Sequence, residues 1–143
     1  MLVMITNIIF KKEVTMSTVL KYSRQREAIR NFLCSRKDHP TAEVVYESLK
    51  KDFPHLSLGT VYRNLSLLVE LGEAIKFPGL DGYDHFDGNP MPHYHFICND
   101  CNAVIDLELP NMEELNSAAG KSFDGIITGH SAYFYGKCKN CQK

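Results

Sequence analysis

Four of the five cysteines in this chain stand in two pairs of identical spacing, and their thiolates are well suited to holding a metal ion. The pairs are Cys98-x-x-Cys101 and Cys138-x-x-Cys141. Paired thiolates are soft ligands that suit a closed, tetrahedral zinc site. The 36 residues between the pairs are too many for a compact zinc finger, so we expect a Zn²⁺ site that joins two distant strand ends and contributes folding free energy. Disulfides are the alternative, but two CxxC pairs without a convincing secretion signal are more typical of metal ligands.

A second set of possible ligands flanks the first cysteine pair. His93 and His95 alternate along one predicted strand, so both imidazoles point to the same face. Asp87 precedes them and Asp106 follows. Imidazole mixed with carboxylate suits a harder ion such as Fe²⁺ or Mn²⁺. A single histidine is usually a surface or core residue, and this is our interpretation of His55, His85 and His130. Whether His85, which is close to Asp87 in sequence, replaces or supplements a ligand stays open.

Length and composition indicate a globular protein with one ordinary domain or two small ones. The chain has 143 residues, and its hydrophobic content of 44% argues against extensive disorder. No apolar stretch is long enough to span a bilayer. Residues 16–79 carry ten Lys/Arg against seven Asp/Glu, whereas residues 80–143 carry four against nine. The basic first half could meet a polyanion, and the acidic second half could attract cations.

The first fifteen residues do not fit the rest of the chain. They are apolar up to Phe10 but lack the basic start and the cleavage site of a signal peptide. We interpret residues 1–15 as a non-native or disordered extension and expect translation to begin at Met16, because codons for Lys-Glu-Val just upstream can spell a ribosome-binding sequence. A short, poorly ordered natural tail is the alternative. Without a secretion signal, we expect a cytoplasmic protein.

Residues 16–88 predict a winged helix-turn-helix. Ser23, Thr41 and Ser57 can each cap a helix whose apolar residues recur at three- and four-residue steps, and Gly72 ends the third helix. Residues 74–77 and 83–86 then form a hairpin around a Pro-Gly-Leu-Asp-Gly turn. The third helix of such a domain enters the DNA major groove. Its candidate DNA-binding residues are Ser57, Thr60, Tyr62, Arg63 and Asn64. The alternative is an ordinary amphipathic helix with a polar solvent face.

Residues 89–143 predict a small α/β domain that binds metal, which makes the whole chain an α+β protein. Alternating patterns predict strands over residues 93–98 and 103–109, and further strands over residues 126–128 and 132–135. A helix is expected over residues 112–119, closed by Gly120. Outside this domain, Cys34 follows Phe32 and Leu33 and is expected to be a small buried hydrophobe.

Several motifs together resemble the ferric-uptake-regulator family of bacterial metal-dependent repressors. The resemblance covers nearly all of residues 22–141. It rests on His39-Pro40-Thr41-Ala42, Ser57-x-x-Thr60-Val61-Tyr62-Arg63-Asn64-Leu65, His93-Tyr94-His95-Phe96-Ile97-Cys98, Asp106 and both CxxC pairs. Within the family the chain looks most like the peroxide-sensing branch, because the iron-sensing branch often has Glu at the position of Asp106. The resemblance implies five ligands for a regulatory metal: His39, Asp87, His93, His95 and Asp106.

The resemblance also implies a mechanism. A homodimer would bind double-stranded operator DNA when the regulatory metal draws the two halves of each chain together, and its second domain would be the dimerisation domain. With Fe²⁺ in the site, hydrogen peroxide would oxidise a ligand, for which His39 and His93 are the candidates, and the operator would be released. Mn²⁺ would support closure but not oxidation. The protein would therefore be a stoichiometric sensor and not an enzyme.

Three alternatives stay open at the level of the sequence. The first is an iron- or zinc-responsive repressor of the same family without peroxide chemistry. The second is a zinc–thiolate redox switch, although zinc-bound thiolates would resist oxidation. The third is a metalloenzyme, but five protein ligands leave little room for a substrate and no general base stands out.

Overall fold

The computed structural model describes residues 20–110 and 112–142. Residues 1–15, interpreted as an extension, and Met16, the expected start, lie outside the described residues. Within them, no helix is long and apolar enough to cross a bilayer.

Three helices begin where the sequence predicted them. They are α1 (Arg24–Cys34), α2 (Ala42–Leu49) and α3 (Leu58–Glu70). The side chains of Ser23, Thr41 and Ser57 each accept a hydrogen bond from a backbone N–H in the first turn, which confirms all three N-caps. The apolar faces of these helices meet in one core together with Phe86 from the hairpin. The core residues are Ile29, Leu33, Ala42, Val45, Leu56, Val61, Leu65, Leu68, Ala74 and Phe86.

The hairpin that follows α3 pairs β1 (Ile75–Pro78) with β2 (Asp84–Asp87) in antiparallel register. Phe86 points into the helical core, so its neighbours His85 and Asp87 point to the opposite face, towards the second half of the chain. An isolated β-bridge joins Thr41 to His85 and draws the α1–α2 connection against β2. The hairpin therefore lies between the helical core and the second sheet.

The second half is a three-stranded sheet with the order β4-β3-β5. Its elements are β3 (Tyr94–Cys98), β4 (Val104–Leu107), α4 (Glu114–Gly120) and β5 (Tyr133–Gly136), followed by a 3₁₀ turn over Lys139–Cys141. β3 pairs antiparallel with β4 and parallel with β5, and the parallel pair needs the long crossover that contains α4. This topology places Cys98 opposite Gly136, so the two CxxC pairs meet at one end of the sheet.

Two expectations about local structure are wrong. Residues 126–128 form no strand: they join neither outer edge of the described sheet, and Ile126 is 90% exposed, so its apolar side chain packs against no sheet face. Cys34 is exposed and not buried, because it is the last residue of α1 and lies on the solvent side, where its thiol donates to the carbonyl oxygen of Gly88 at 3.6 Å. The other predicted elements are present with ends shifted by one to three residues.

Candidate metal centres and nucleic-acid interface

The structure gathers the five expected regulatory ligands into one cluster. His39 comes from the α1–α2 connection and Asp87 from the end of β2. His93 is the residue before β3, His95 lies in β3, and Asp106 lies in β4. One potential ligand atom from each residue lies within 4.8 Å of all the others. The register of the sheet explains part of this, because Asp106 is directly opposite His95 on the neighbouring strand.

Each carboxylate presents one oxygen to the same three imidazole nitrogens. Oδ2 of Asp87 lies 2.8 Å from Nε2 of His93 and 3.1 Å from Nε2 of His95. Its distance to Nε2 of His39 is 3.3 Å. Oδ1 of Asp106 lies 2.8 Å from Nε2 of His39, and 3.2 and 3.4 Å from Nε2 of His93 and His95. Three nitrogens and two oxygens therefore converge on one point.

The donor atoms of this cluster fit a divalent cation. Nε2 of His39, Nε2 of His93 and Oδ1 of Asp106 are buried and make no hydrogen bond within the described part of the chain. Buried polar atoms without partners are rare and costly. Two carboxylates with three neutral imidazoles carry a charge of −2, which a divalent ion would neutralise. The mixture of nitrogen and oxygen ligands suits Fe²⁺, Mn²⁺ or Zn²⁺.

The electrostatics of the metal-free cluster follow from the same contacts. Burial favours a raised pKa for Asp87, but the close contact with His39 and the hydrogen bond with His95 outweigh it and hold the pKa of this carboxyl well below its ordinary value. Burial lowers the pKa of His39, yet its close contacts with the carboxylates of Asp87 and Asp106 raise it overall.

Phe77 supports the cluster and was not found by sequence reasoning. This side chain is 1% exposed, and its ring stacks on His95 with 4.7 Å between centroids. Its edge contact with His39 has a centroid distance of 5.7 Å. On the other strand of the hairpin it also stacks on His85. In the sequence Phe77 is one apolar residue of a short strand, and nothing in that pattern distinguishes a platform for imidazoles from an ordinary core residue.

The four paired cysteines form a separate cluster. All four sulfurs lie within 4.8 Å of one another, and none is in a disulfide. Sγ of Cys101 and Sγ of Cys138 are 3.7 Å apart. In a tetrahedral site with Zn–S bonds of about 2.3 Å, two sulfur ligands are about 3.8 Å apart, so the observed distance is close to that of a zinc site. The backbone N–H of Cys138 donates to Cys98 and lowers the pKa of that thiol to about 6. The hydrogen bond with the neighbouring Cys138 raises the pKa of Cys141 to about 12, so a cation is needed to hold all four as thiolates.

The expected DNA-contacting residues lie at the start of α3. Ser57 and Thr60 share a hydrogen bond of 2.9 Å, and the guanidinium of Arg63 donates to the Thr60 hydroxyl at 3.0 Å. The Tyr62 hydroxyl donates to Glu43 of α2 at 2.7 Å, which raises the pKa of Tyr62. The side chain of Asn64 is half-buried and donates to the carbonyl of Thr60. Ser57, Tyr62 and Arg63 are exposed, so this helix end offers hydroxyl and guanidinium groups to a partner.

The three histidines expected to be structural have different surroundings. His55 is exposed, whereas His130 is half-buried and contacts the hydroxyl of Tyr94 and the side-chain oxygen of Asn116. His85 is buried beside the metal cluster and bonds to the backbone of His39, although it is not one of the five convergent residues.

The sequence model of the ferric uptake regulator family matches residues 17–135, which is most of the chain. The chain belongs to the ferric uptake regulator family. Two relatives named peroxide-responsive repressor PerR, from Staphylococcus saprophyticus and Staphylococcus aureus, are each 36% identical over 123 residues. The aligned part covers 86% of this chain and 83% of each relative.

Solved structures of the family share the fold. The peroxide stress regulator of Campylobacter jejuni is 29% identical with a TM-score of 0.71, over 82% of this chain and 88% of its own. The ferric uptake regulator of Francisella tularensis with iron is 25% identical with a TM-score of 0.73, over 90% of this chain and 98% of its own. The predicted family and fold class are therefore confirmed.

Membership of the ferric uptake regulator family establishes the general activity. The chain is a metal-dependent, DNA-binding transcriptional repressor and not an enzyme, as predicted. It carries one sulfur cluster of the structural zinc type and one histidine–aspartate cluster of the regulatory type.

Proposed function

We propose that this repressor senses hydrogen peroxide through oxidation of a histidine in the His/Asp cluster. The observation that carries the proposal is the convergence of three imidazole nitrogens and two carboxylate oxygens on one buried point. The relatives of 36% identity are named peroxide-responsive repressors, and the C. jejuni structure is named a peroxide stress regulator. When bound, Fe²⁺ would supply the one-electron chemistry that activates peroxide, whereas Mn²⁺ would hold the closed form without it.

The ligands of the regulatory metal in this proposal are the five gathered residues, and the four paired cysteines bind the structural Zn²⁺. His39 and His93 are the proposed oxidation-sensitive residues. Their surroundings differ: the side chain of His93 is 13% exposed and that of His39 is 1% exposed. A cavity of about 230 Å³ adjoins His93 and His95 and is walled by Pro92, His130 and Tyr133. Peroxide would therefore reach the cluster from the side of His93.

Metal binding would be coupled to DNA binding through the positions of the ligands. His39 and Asp87 belong to the proposed DNA-binding domain, residues 16–88, and the other three ligands to the proposed metal-binding and dimerisation domain, residues 89–143. One ion bound by all five would hold the two domains in a fixed arrangement. Such coupling is usually worth about 1–3 kcal/mol. An oxidised histidine would be a poorer ligand, so the arrangement and the operator affinity would both be lost.

A homodimer is the proposed DNA-binding form. The face of the second sheet opposite the metal cluster carries Phe96 with Ile105 and Phe134 directly beside it on the two neighbouring strands. Ile105 and Phe134 are each 44% exposed, although both are large and apolar. We propose that a second copy of the chain covers this face. The dimer would present two α3 helices, with Ser57, Thr60, Tyr62, Arg63 and Asn64 directed at operator DNA.

The test compares operator binding by the Fe²⁺- and Mn²⁺-loaded protein before and after brief peroxide treatment, with peptide mass mapping. We expect only the iron form to release DNA, with one added oxygen atom on His39 or His93. If both forms keep the operator and their histidines stay intact, the protein is an iron- or zinc-responsive repressor without peroxide chemistry. Oxidation confined to the cysteines would place the switch in the zinc–thiolate cluster.

A further inference from the structure

His85 lies beside the proposed regulatory site without belonging to it. It stands two residues before Asp87 on β2, so both side chains leave the strand on the same face, and it is 8% exposed. Its Nδ1 lies 2.6 Å from the carbonyl oxygen of His39. Its Nε2 lies 2.9 Å from Oδ2 of Asp81. The His39 carbonyl oxygen can only accept, so Nδ1 of His85 donates the hydrogen bond to it, while Nε2 faces the Asp81 carboxylate.

The backbone of His39 is a place where such support matters. Its φ is +51°, a left-handed conformation that is uncommon for residues other than glycine. Such a conformation persists only where several surrounding contacts hold the backbone in place. The next residue, Pro40, is held by a hydrogen bond from Phe86 N–H to its carbonyl at 3.0 Å. The hydrogen bond from His85 fixes the His39 carbonyl itself, and with it the direction from which the imidazole enters the cluster.

The turn of the hairpin is shaped to bring Asp81 over His85. A Cβ on Gly79 would lie 2.5 Å from Cδ2 of His85 and 2.5 Å from Oδ1 of Asp81, so only glycine permits this approach. On its other side, the His85 ring stacks on Phe77, with 6.0 Å between centroids and 16° between planes. The imidazole is therefore fixed by two hydrogen bonds, by an aromatic face and by the turn.

We propose that His85 is a positioning residue for the regulatory metal site. It holds the His39 backbone in the geometry that metal binding needs and, through Asp81, connects the turn of the hairpin to that site. The inference rests on the proposed role of His39 as a metal ligand.

Two substitutions of His85 separate this role from simple space filling. In H85N the amide nitrogen takes the place of Nδ1 and keeps a donor to the His39 carbonyl. In H85Q the amide nitrogen takes the place of Nε2, keeps the contact with Asp81 and leaves the His39 carbonyl without its donor. We expect H85Q to lower the Mn²⁺ affinity of the zinc-loaded protein by about 10- to 100-fold, the range for residues that orient a metal ligand. H85N should lower it by less, because it loses only the contact with Asp81.

A second pair of variants tests the connection to the turn. D81N should also weaken Mn²⁺ binding, whereas D84N should leave it unchanged, because Asp84 lies exposed on the same hairpin and pairs only with Lys76, at 3.4 Å, among the described residues. Thermal unfolding of the metal-free variants shows whether a loss of affinity merely reflects a loss of stability.

The outcomes also separate this inference from the proposed function. Equal Mn²⁺ affinities for H85N and H85Q, or a stronger effect of H85N, would overturn the positioning role while the metal site stands. If the wild-type zinc-loaded protein binds no Mn²⁺ at the His/Asp cluster, the proposed function is wrong and the positioning role is wrong with it.

Discussion

Replacing Cys138 by serine is expected to unfold the second sheet while the helical core stays folded. Cys138 is 8% exposed and takes part in the sulfur cluster in two ways. Its thiol lies 3.7 Å from that of Cys101, and its backbone N–H donates to the Cys98 sulfur at 3.4 Å. Serine would keep the N–H but remove a soft ligand from the proposed zinc site. The perturbation therefore acts mainly through the metal.

The size of the effect follows from how little apolar surface the second half buries. Apart from the cysteines, residues 89–110 and 112–142 contribute three buried apolar side chains: Tyr94, Ile97 and Val104. At about 1.5–3 kcal/mol each, their burial stabilises this half by roughly 5–9 kcal/mol. Structural zinc sites contribute about 10–16 kcal/mol. Zinc therefore outweighs the apolar core here, whereas the first half has ten buried core residues and does not depend on it.

The assay is circular dichroism with zinc quantification and Mn²⁺ titration of the C138S protein. We expect the helical signal of the first half to persist, zinc to be lost, and Mn²⁺ binding to disappear because β3 and β4 carry three of its ligands. C34S is the matched control, since Cys34 is exposed and outside the cluster, and it should behave as wild type. A C138S protein with full sheet content and unchanged Mn²⁺ affinity would refute the reasoning.

Three further predictions follow from the clusters and surfaces. In the metal-free protein, the raised pKa of His39 stabilises the fold at pH values below 6.5, the pKa of the unfolded state, and this stability is lost as the pH rises through the folded-state pKa. The melting temperature of H39N should therefore depend less on pH between pH 5 and 8 than that of wild type. An unchanged pH dependence would contradict the contact of His39 with Asp87 and Asp106. R63A should weaken operator binding and reduce the slope of log K against log salt by about 1 if Arg63 contacts a phosphate. K121A, directly after α4, should leave both unchanged. F134E should give a monomer in analytical ultracentrifugation, whereas F123E, which alters a more exposed phenylalanine outside the sheet, should remain a dimer. Dimeric F134E would exclude the proposed interface.

Local patterns predicted much of the fold because the responsible interactions are local. Ser23, Thr41 and Ser57 cap the helices that follow them, and a cap depends on three or four neighbouring residues. The strand carrying His93 and His95 was predictable from alternation, since successive side chains of a strand must point to opposite faces. Residues 126–128 show the limit, because a strand also needs a partner strand alongside it, and the sequence does not show that the chain there runs away from both outer edges of the sheet.

The candidate site was predictable in part and for a different reason. The spacing of the cysteines and the paired histidines pointed to metal binding, but His39 stands 48 residues before Asp87 and entered only through the family resemblance. Phe77 and His85 were not assigned a role near the site. Their contribution depends on which ring or carbonyl lies beside them in the fold, and no local pattern encodes that.

The distribution of the five ligands determines what the loss of each one would do. A metal ion shifts the equilibrium between the open and the closed arrangement of the two halves only if it binds one arrangement more tightly than the other. His95 and Asp106 lie on adjacent strands of one sheet and His93 directly precedes the first of these strands, so a metal bound to these three alone would not distinguish an open protein from a closed one. The free energy of closure must therefore come from His39 and Asp87. Oxidation of His39 would then release the DNA-binding half while metal could stay on the sheet, whereas oxidation of His93 would weaken metal binding in both arrangements.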